Sequence, residues 1–288
     1  MTLPSYPELN RIALLRPSPQ IMLGEELYWT EKRDGSQMRI ALVNGVVKIA
    51  THHQEGASEQ FQDYFKQTEQ ANSVMELLRD TNGYCVNPTA NFNIGAVVFG
   101  ELLSKGKSPA RFEHHDKYEF VIFDIWSAKD NRFLSYNGVY SYAYHYGIPV
   151  VECWAISRHI TLDDLYAYRD TMLVLAKERG REGVVLKSYH SQIFAKEKLD
   201  TPVIHKVDID DGQVRLPALP ESEVLGAIAK VQADLGEAFL DKKIAMPLIA
   251  KYIGEEMVKH LCGKPIHSLF SYYQQYLEGL SSGTTTEL

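Results

Sequence analysis

The sequence is poor in several features that would assign it at once. Three cysteines in 288 residues, Cys85, Cys153 and Cys262, are odd in number and far apart. Their spacing excludes a paired zinc motif and a disulfide framework, and predicts reduced core thiols. No stretch holds the ~18 consecutive apolar residues of a membrane span, and the N-terminal MTLPSYPELNRIALLRPSPQ lacks a signal-type apolar run. The expectation is a soluble protein, cytoplasmic or otherwise intracellular, without membrane attachment. Positive charge is in deficit, with 30 Lys and Arg against 37 Asp and Glu and a net charge of −7. That balance excludes indiscriminate nucleic-acid binding by bulk charge but permits a local basic groove, because phosphate affinity comes from individual Lys and Arg. No internal repeat of solenoid type is present.

What is present is globular. Apolar residues at 45% and charged residues at 23% sit near the average for folded domains, and the length suits two domains of unequal size. Asn44-Gly45, between the apolar runs of Met38 to Ala50, predicts a β-hairpin. Ser58 to Asp80 has helical spacing; Ile94 to Leu103 and Tyr118 to Trp126 read as strands around a basic loop, Ser104 to Arg111. Tyr136 to Tyr146 is a helix, Val150 to Trp154 a strand, and Thr161 to Arg179 a helix with Thr161 as N-cap and Asp163 and Asp164 against its dipole. Gly183 to Ser188 and Val203 to Val207 read as short strands. Asp208 to Pro220 then looks like a linker, and Glu221 to Leu280 is helix-rich.

Lys32-Arg33-Asp34-Gly35 stands just before the hairpin. Lys-x-Asp-Gly is an ordinary way to enter a solvated turn, but four further segments follow it in order: Phe99-Gly100-Glu101-Leu102, Phe120 to Ile125, Glu182 to Lys187, and His205-Lys206. The series resembles the signature motifs I, III, IIIa, IV and V of the covalent nucleotidyltransferase superfamily, which includes polynucleotide ligases and mRNA capping enzymes. It spans residues 31 to 206. The resemblance implies an α+β fold: an antiparallel-sheet-rich nucleotidyltransferase domain, 1–212, followed by a small helical domain, 213–288.

The residue types suit that chemistry. Lys32 would be the nucleophile, since an amine attacks once it is unprotonated and neighbouring cations favour that state. Lys187 and Lys206 would supply the positive field, hold a triphosphate and stabilise departing pyrophosphate; either could instead be a solvated strand-end residue. Glu101 would accept from ribose hydroxyls, with Glu31 and Gln37 beside the nucleotide, and Asp34 would serve catalysis with Lys32. Glu182 would help bind Mg²⁺ or Mn²⁺. Asp124 would orient the lysine or a metal-bound water, or cap its strand. Phe123 would stack on the nucleobase, with Phe120 competing because alternation sends the two to opposite faces.

Within the superfamily, helices after residue 212 in place of an oligonucleotide-binding β-barrel, and an amide at Gln37 where DNA ligases and capping enzymes usually carry Arg, resemble the ATP-dependent, RNA ligase 2-like family. The Glu31-Lys32 and Asp34-Gly35-Ser36 context does so too. The sequence departs from the pattern at Thr51 to Gln54, which lacks the motif Ia basic residue, for which Arg39 and Lys48 are candidates. Motif V holds one lysine, and whether Lys196 or Lys198 supplies a second is open. The resemblance implies an RNA-repair enzyme that forms lysyl-AMP from ATP, passes AMP to a 5′-phosphate and joins a 3′-hydroxyl. Its substrates would be RNA ends, nicked duplex RNA or an RNA/DNA hybrid, with Lys230, Lys242, Lys243, Lys251 and Lys264 available to contact them. The competing readings are an ATP-dependent DNA ligase, a capping-type guanylyltransferase, and a non-catalytic nucleic-acid-binding module.

Overall fold

In the computed structural model, Asn44 and Gly45 adopt φ of 50° and 78°, the positive angles that a tight hairpin turn requires. They join β2 (Ser36–Val43) to β3 (Val46–Thr51). The structure describes residues 3–7, 9–15, 18–51, 54–82, 94–108, 112–199, 208–210, 213–215, 221–253 and 267–281. The chain divides into two compact units, Met1–Leu199 and Asp200–Leu288.

The first unit is α+β with antiparallel sheets. β4 (Ala96–Leu103), β7 (Glu119–Ser127) and β8 (Arg132–Phe133) extend the hairpin into a five-stranded sheet of order β3-β2-β4-β7-β8. β1 (Leu27–Lys32), β9 (Cys153–Ser157), β10 (Gly183–Ser188) and β11 (Ile193–Lys198) form a four-stranded sheet of order β11-β10-β1-β9. The two sheets pack face to face: Tyr28 and Phe194 from one share a buried cluster with Ala41, Val43, Val97 and Phe99 from the other. Helices cover the outer faces. On the five-stranded sheet, Met38, Ile40, Val98, Phe120 and Ile122 pack against α1 (Glu59–Lys66), α2 (Ala71–Asn82) and α3 (Tyr136–His145). On the four-stranded sheet, Leu27, Trp29, Val184 and Leu186 pack against α4 (Leu162–Glu178).

Sequence expectation and structure differ at several points of the first unit. The helix expected over Ser58 to Asp80 is two, because the Thr68 hydroxyl donates to the Phe65 carbonyl (2.7 Å) and Gln70 turns aside to accept from the Phe120 N–H of β7 (3.2 Å). The strand expected at Val150 begins at Cys153; around Val150 the Pro149 carbonyl instead accepts from the Ile122 N–H and the Val151 N–H donates to the Ile122 carbonyl, a parallel bridge to the other sheet, so this segment carries the chain between sheets. β11 was not expected, since its turn uses Gln192 at φ 60° with no Gly or Asn to signal it. The basic loop holds a two-stranded sheet, β5 (Gly106–Lys107) with β6 (His114–His115).

In the second unit, the segment read as a linker contains β12 (Asp208–Asp210) paired with β13 (Gln213–Arg215). α5 (Glu221–Leu235), α6 (Lys242–Ile253) and α7 (His267–Ser281) follow, with a core of Val224, Ile228, Val231, Phe239, Ile249, Leu269 and Tyr273. Among the described residues no helix is long and apolar enough to cross a membrane. Cys153 is a half-buried free thiol; Cys85, Cys262, and the strand expected at Val203 to Val207 lie outside the described residues.

Candidate active site

Alternation along β1 sends Leu27 and Trp29 toward α4, and hence Tyr28, Thr30 and Lys32 toward the five-stranded sheet. The pairing builds three cross-strand rows on that inner face: Tyr28, Lys187 and Phe194; Thr30, Val185 and Lys196; Lys32, Gly183 and Lys198. Four lysines therefore share one face. Lys32 and Lys187 stand four residues apart along the sheet, about 13 Å at the rise of a strand.

The Lys32 ammonium is paired with Glu182 Oε2, and Lys198 Nζ lies 2.9 Å from Glu182 Oε1. Both lysines are 14% exposed and Glu182 is buried. Gly183 separates the two lysines in the row, and only glycine fits there: a Cβ would meet the Glu197 carbonyl oxygen at 2.0 Å.

At the other end of the face, Lys187 Nζ donates to Asp124 Oδ2 and to the Phe123 carbonyl, each at 2.8 Å. Its ammonium is 5.7 Å from the Phe123 ring centroid. Successive residues of a regular strand could not both meet it. Between Phe99 and Gly100 the β4–β7 register shifts, from Phe99↔Asp124 to Gly100↔Ile122, and Phe123 is the extra residue. This β-bulge turns Phe123 and Asp124 to the same side. Asp124 is fully buried and also accepts from the Tyr6 and Tyr189 hydroxyls. Burial first, and the Asp124 charge second, push both phenol pKa values well above the usual 10. Phe120 lies on the opposite, helix-covered face, edge-on to Phe65 at 5.2 Å.

The Lys-x-Asp-Gly turn is clamped from the β5–β6 segment. Glu113 accepts from Arg33 Nε (2.8 Å to Oε2) and from the Asp34 N–H (3.0 Å), while the Asp34 carboxylate accepts from the Ser108 hydroxyl. Burial alone would lower the Arg33 pKa, but the hydrogen bonds and charge of Glu113 outweigh it and the net direction is upward. Gly35 donates to Glu101 Oε1 at 3.2 Å; a Cβ on it would meet the Leu102 carbonyl oxygen at 2.6 Å. Gln37 pairs with Glu101 across β2 and β4, and its buried Nε2 has no hydrogen-bond partner.

Lys32 thus meets Glu182, Lys187 meets Asp124 and Phe123, and Gly35, Gln37 and Glu101 adjoin. Glu31 is turned away, buried and bound by Arg181 Nε (2.5 Å) and the Glu152 N–H (3.1 Å). His205 and Lys206 lie outside the described residues, as do His52, His53 and Lys264. Arg39 is buried and bonded to the Leu3 and Pro4 carbonyls and to Glu55. Tyr6, Glu113 and Arg181 were not expected in the site. Arg181 adjoins motif IV, whereas Tyr6 and Glu113 stand in irregular segments that no periodicity marks.

Among the described residues no group of three or more His, Cys, Asp or Glu could cage a metal ion. Glu182, beside Lys32, is the carboxylate that would share a divalent ion with phosphates, exchanging for it its ion pairs with Lys32 and Lys198. The Asp124 oxygens are engaged by Lys187, Tyr6 and Tyr189.

Two face-to-face antiparallel sheets with a motif lysine ending an inner strand define a nucleotidyltransferase-type ligase fold. The RNA ligase family model matches residues 25–206, more than half of the chain, and the protein belongs to that family. An archaeal ATP-dependent RNA ligase is similar at 16% identity and a TM-score of 0.51, over 98% of this chain and 67% of that one. A Naegleria gruberi RNA ligase with ATP and Mn is similar at 17% identity and a TM-score of 0.50, over 68% of this chain and 56% of that one. At these identities the likeness is one of fold, and the chain spans only about two thirds of the first relative and little over half of the second. A comparison with curated proteins gives no match.

Proposed function

We propose that the protein is an ATP-dependent RNA ligase that joins a 5′-phosphate end to a 3′-hydroxyl end through AMP carried on Lys32. The observation that carries this reading is the Lys32, Gly183, Lys198 row, with Glu182 held between the two lysines at the mouth of motif IV. Membership of the RNA ligase family supports it.

In the first step the Lys32 amine, having released its proton, attacks the α-phosphorus of ATP. The bond to the β-phosphate oxygen breaks and pyrophosphate leaves. Lys187, aimed by Asp124 and the Phe123 carbonyl, together with Lys206, would hold the triphosphate and neutralise the leaving group. Phe123 would stack on the base, Glu101 would accept from the ribose, and the buried Gln37 amide offers a donor beside it. Mg²⁺ or Mn²⁺, bound with the phosphates next to Glu182, would supply charge neutralisation. Next, an oxygen of the RNA 5′-phosphate attacks the AMP phosphorus and frees Lys32. The 3′-hydroxyl then attacks that 5′-phosphorus, forming the phosphodiester and expelling AMP. In the helical unit, Lys242, Lys243 and Lys251 are exposed and would contribute phosphate contacts.

The test is incubation with Mg²⁺ and α-labelled ATP or GTP, followed by denaturation. Covalent label from ATP is expected on the wild type and absent from a folded Lys32→Ala variant. Label from GTP alone, or label persisting on Lys32→Ala, would refute the proposal. Sealing of matched nicked substrates with RNA or DNA on each side of the nick then identifies the strand that is read.

A further inference from the structure

Lys32 is the last residue of its strand, and its pairing with β10 ends at Lys32↔Gly183. Strand ends fray unless something beyond the last paired residue holds them. Here the nucleophile and its partner Glu182 both stand at that frayable edge. Besides the bond from the Leu199 N–H to the Glu182 carbonyl (3.0 Å), a closed set of charges holds them. Glu31, before Lys32, is bound by Arg181 at 2.5 Å and faces Arg33 at 3.7 Å. Glu113 receives Arg33 Nη2 at 2.7 Å and faces Arg181 Nη1 at 3.6 Å. Two carboxylates and two guanidiniums thus alternate around a ring of balanced charge. Its members are the residues on either side of Lys32 and the residue before Glu182, joined by one acid from a distant segment.

We infer that Glu113 is a positioning residue for Lys32, acting through Arg33, Asp34 and Arg181. The inference rests on the ligase reading for the reaction it serves. Three features separate this role from general stabilisation or substrate contact. Glu113 is buried and belongs to neither large sheet. Its oxygens are directed at Arg33, at the Asp34 N–H and, at 3.2 Å, at His115 Nε2, leaving it no part in binding ATP. It is itself locked in place, its N–H donating to the Ser108 hydroxyl and its carbonyl accepting from the Ser108 N–H, each at 2.8 Å. A nucleophile must be held in line with its phosphorus, and an error of about 1 Å can cost ~100-fold in rate. One buried carboxylate fixing both chain segments that carry Lys32 and Glu182 meets that demand.

The test compares wild type, Glu113→Gln, Glu113→Asp, Arg33→Gln and the Glu113→Gln/Arg33→Gln double variant. For Glu113→Gln the rate of lysyl-AMP formation at saturating ATP should fall roughly 10- to 100-fold, with KM for ATP changed less than about 3-fold. Glu113→Asp, which keeps the charge, should recover part of the loss. Arg33→Gln should share the defect, and the double variant should be no worse than the more impaired single one. A Glu113→Gln rate within about 2-fold of wild type would overturn the inference. So would a rise in KM matching the loss, or additive single effects. Should wild type form no lysyl-AMP, the ligase reading falls, and amide hydrogen exchange decides the clamp by itself. Exchange over Lys32 to Gly35 should then quicken at least about 10-fold in Glu113→Gln while β2–β3 is unchanged. Equal exchange in both proteins would overturn it.

Discussion

A lysine 1% exposed and an aspartate fully buried are costly to remove from water, and Lys187 and Asp124 survive there because every charge is answered. Asp124 accepts from Lys187, Tyr6 and Tyr189, and Lys187 donates to Asp124 and to the Phe123 carbonyl. Removing one member strands the other. Asp124→Ala should lose about 3–5 kcal/mol of unfolding free energy in urea, whereas Asp124→Leu combined with Lys187→Met should recover most of it. A loss under about 1 kcal/mol for Asp124→Ala would mean that the buried pair does not form in solution. The same nest gives an alkaline limit. Tyr6 and Tyr189 have folded pKa values raised above their ordinary value, so their contribution is complete below about pH 10 and is lost as pH climbs from there through the folded values. The urea midpoint should fall in that window, less steeply for Tyr189→Phe. Lys32, Glu182 and Lys187 were legible because each lies in a contiguous motif. Tyr6 was not, since its partner is 118 residues away and nothing local records the pairing.

At the scale of the element, the informative feature is the bulge in β7. Strict alternation would make Phe123 and Asp124 face opposite ways, and the choice between Phe120 and Phe123 was open on sequence alone. The register shift at Phe99/Gly100 puts Phe123 and Asp124 together beside Lys187 and leaves Phe120 among the helices. The two phenylalanines should therefore separate by assay. Phe123→Leu should raise KM for ATP roughly 5- to 100-fold, the worth of about 1–3 kcal/mol of base stacking, with little change in unfolding midpoint. Phe120→Leu should do the reverse, lowering stability by about 1 kcal/mol or more while leaving KM near wild type. Equal KM values for the two variants would sink the assignment of the stacking face. Legibility at this scale followed turn chemistry. The Asn44-Gly45 hairpin and the Thr161-capped helix were readable because the residue types force the backbone. β11, the break at Thr68 and the bulge were not, because side-chain bonds and pairing from remote strands decide them.

At the scale of the whole molecule, the hydrophobic clusters among the described residues divide the chain without overlap. One cluster draws only on residues between Val224 and Leu277, while those beneath the two sheets draw on residues up to Leu199. A chain with separate cores is not bound to unfold in one step, so substitutions in different clusters should act on different transitions. Phe239, 1% exposed, packs edge-on to Tyr273 and accepts a hydrogen bond from its hydroxyl. Phe61, also 1% exposed, is buried with Phe65 under the five-stranded sheet. Truncating a buried Phe to Ala costs about 3–5 kcal/mol through lost transfer energy and the cavity left behind. In calorimetry, Phe239→Ala should lower one transition and Phe61→Ala the other, each leaving its counterpart within a degree or so of wild type. A single transition shifted alike by both variants would mean that the two cores melt as one cooperative body. It would also predict that damage to the helical unit reaches Lys32 through stability alone, so that Phe239→Ala would lose lysyl-AMP formation in step with its melting temperature.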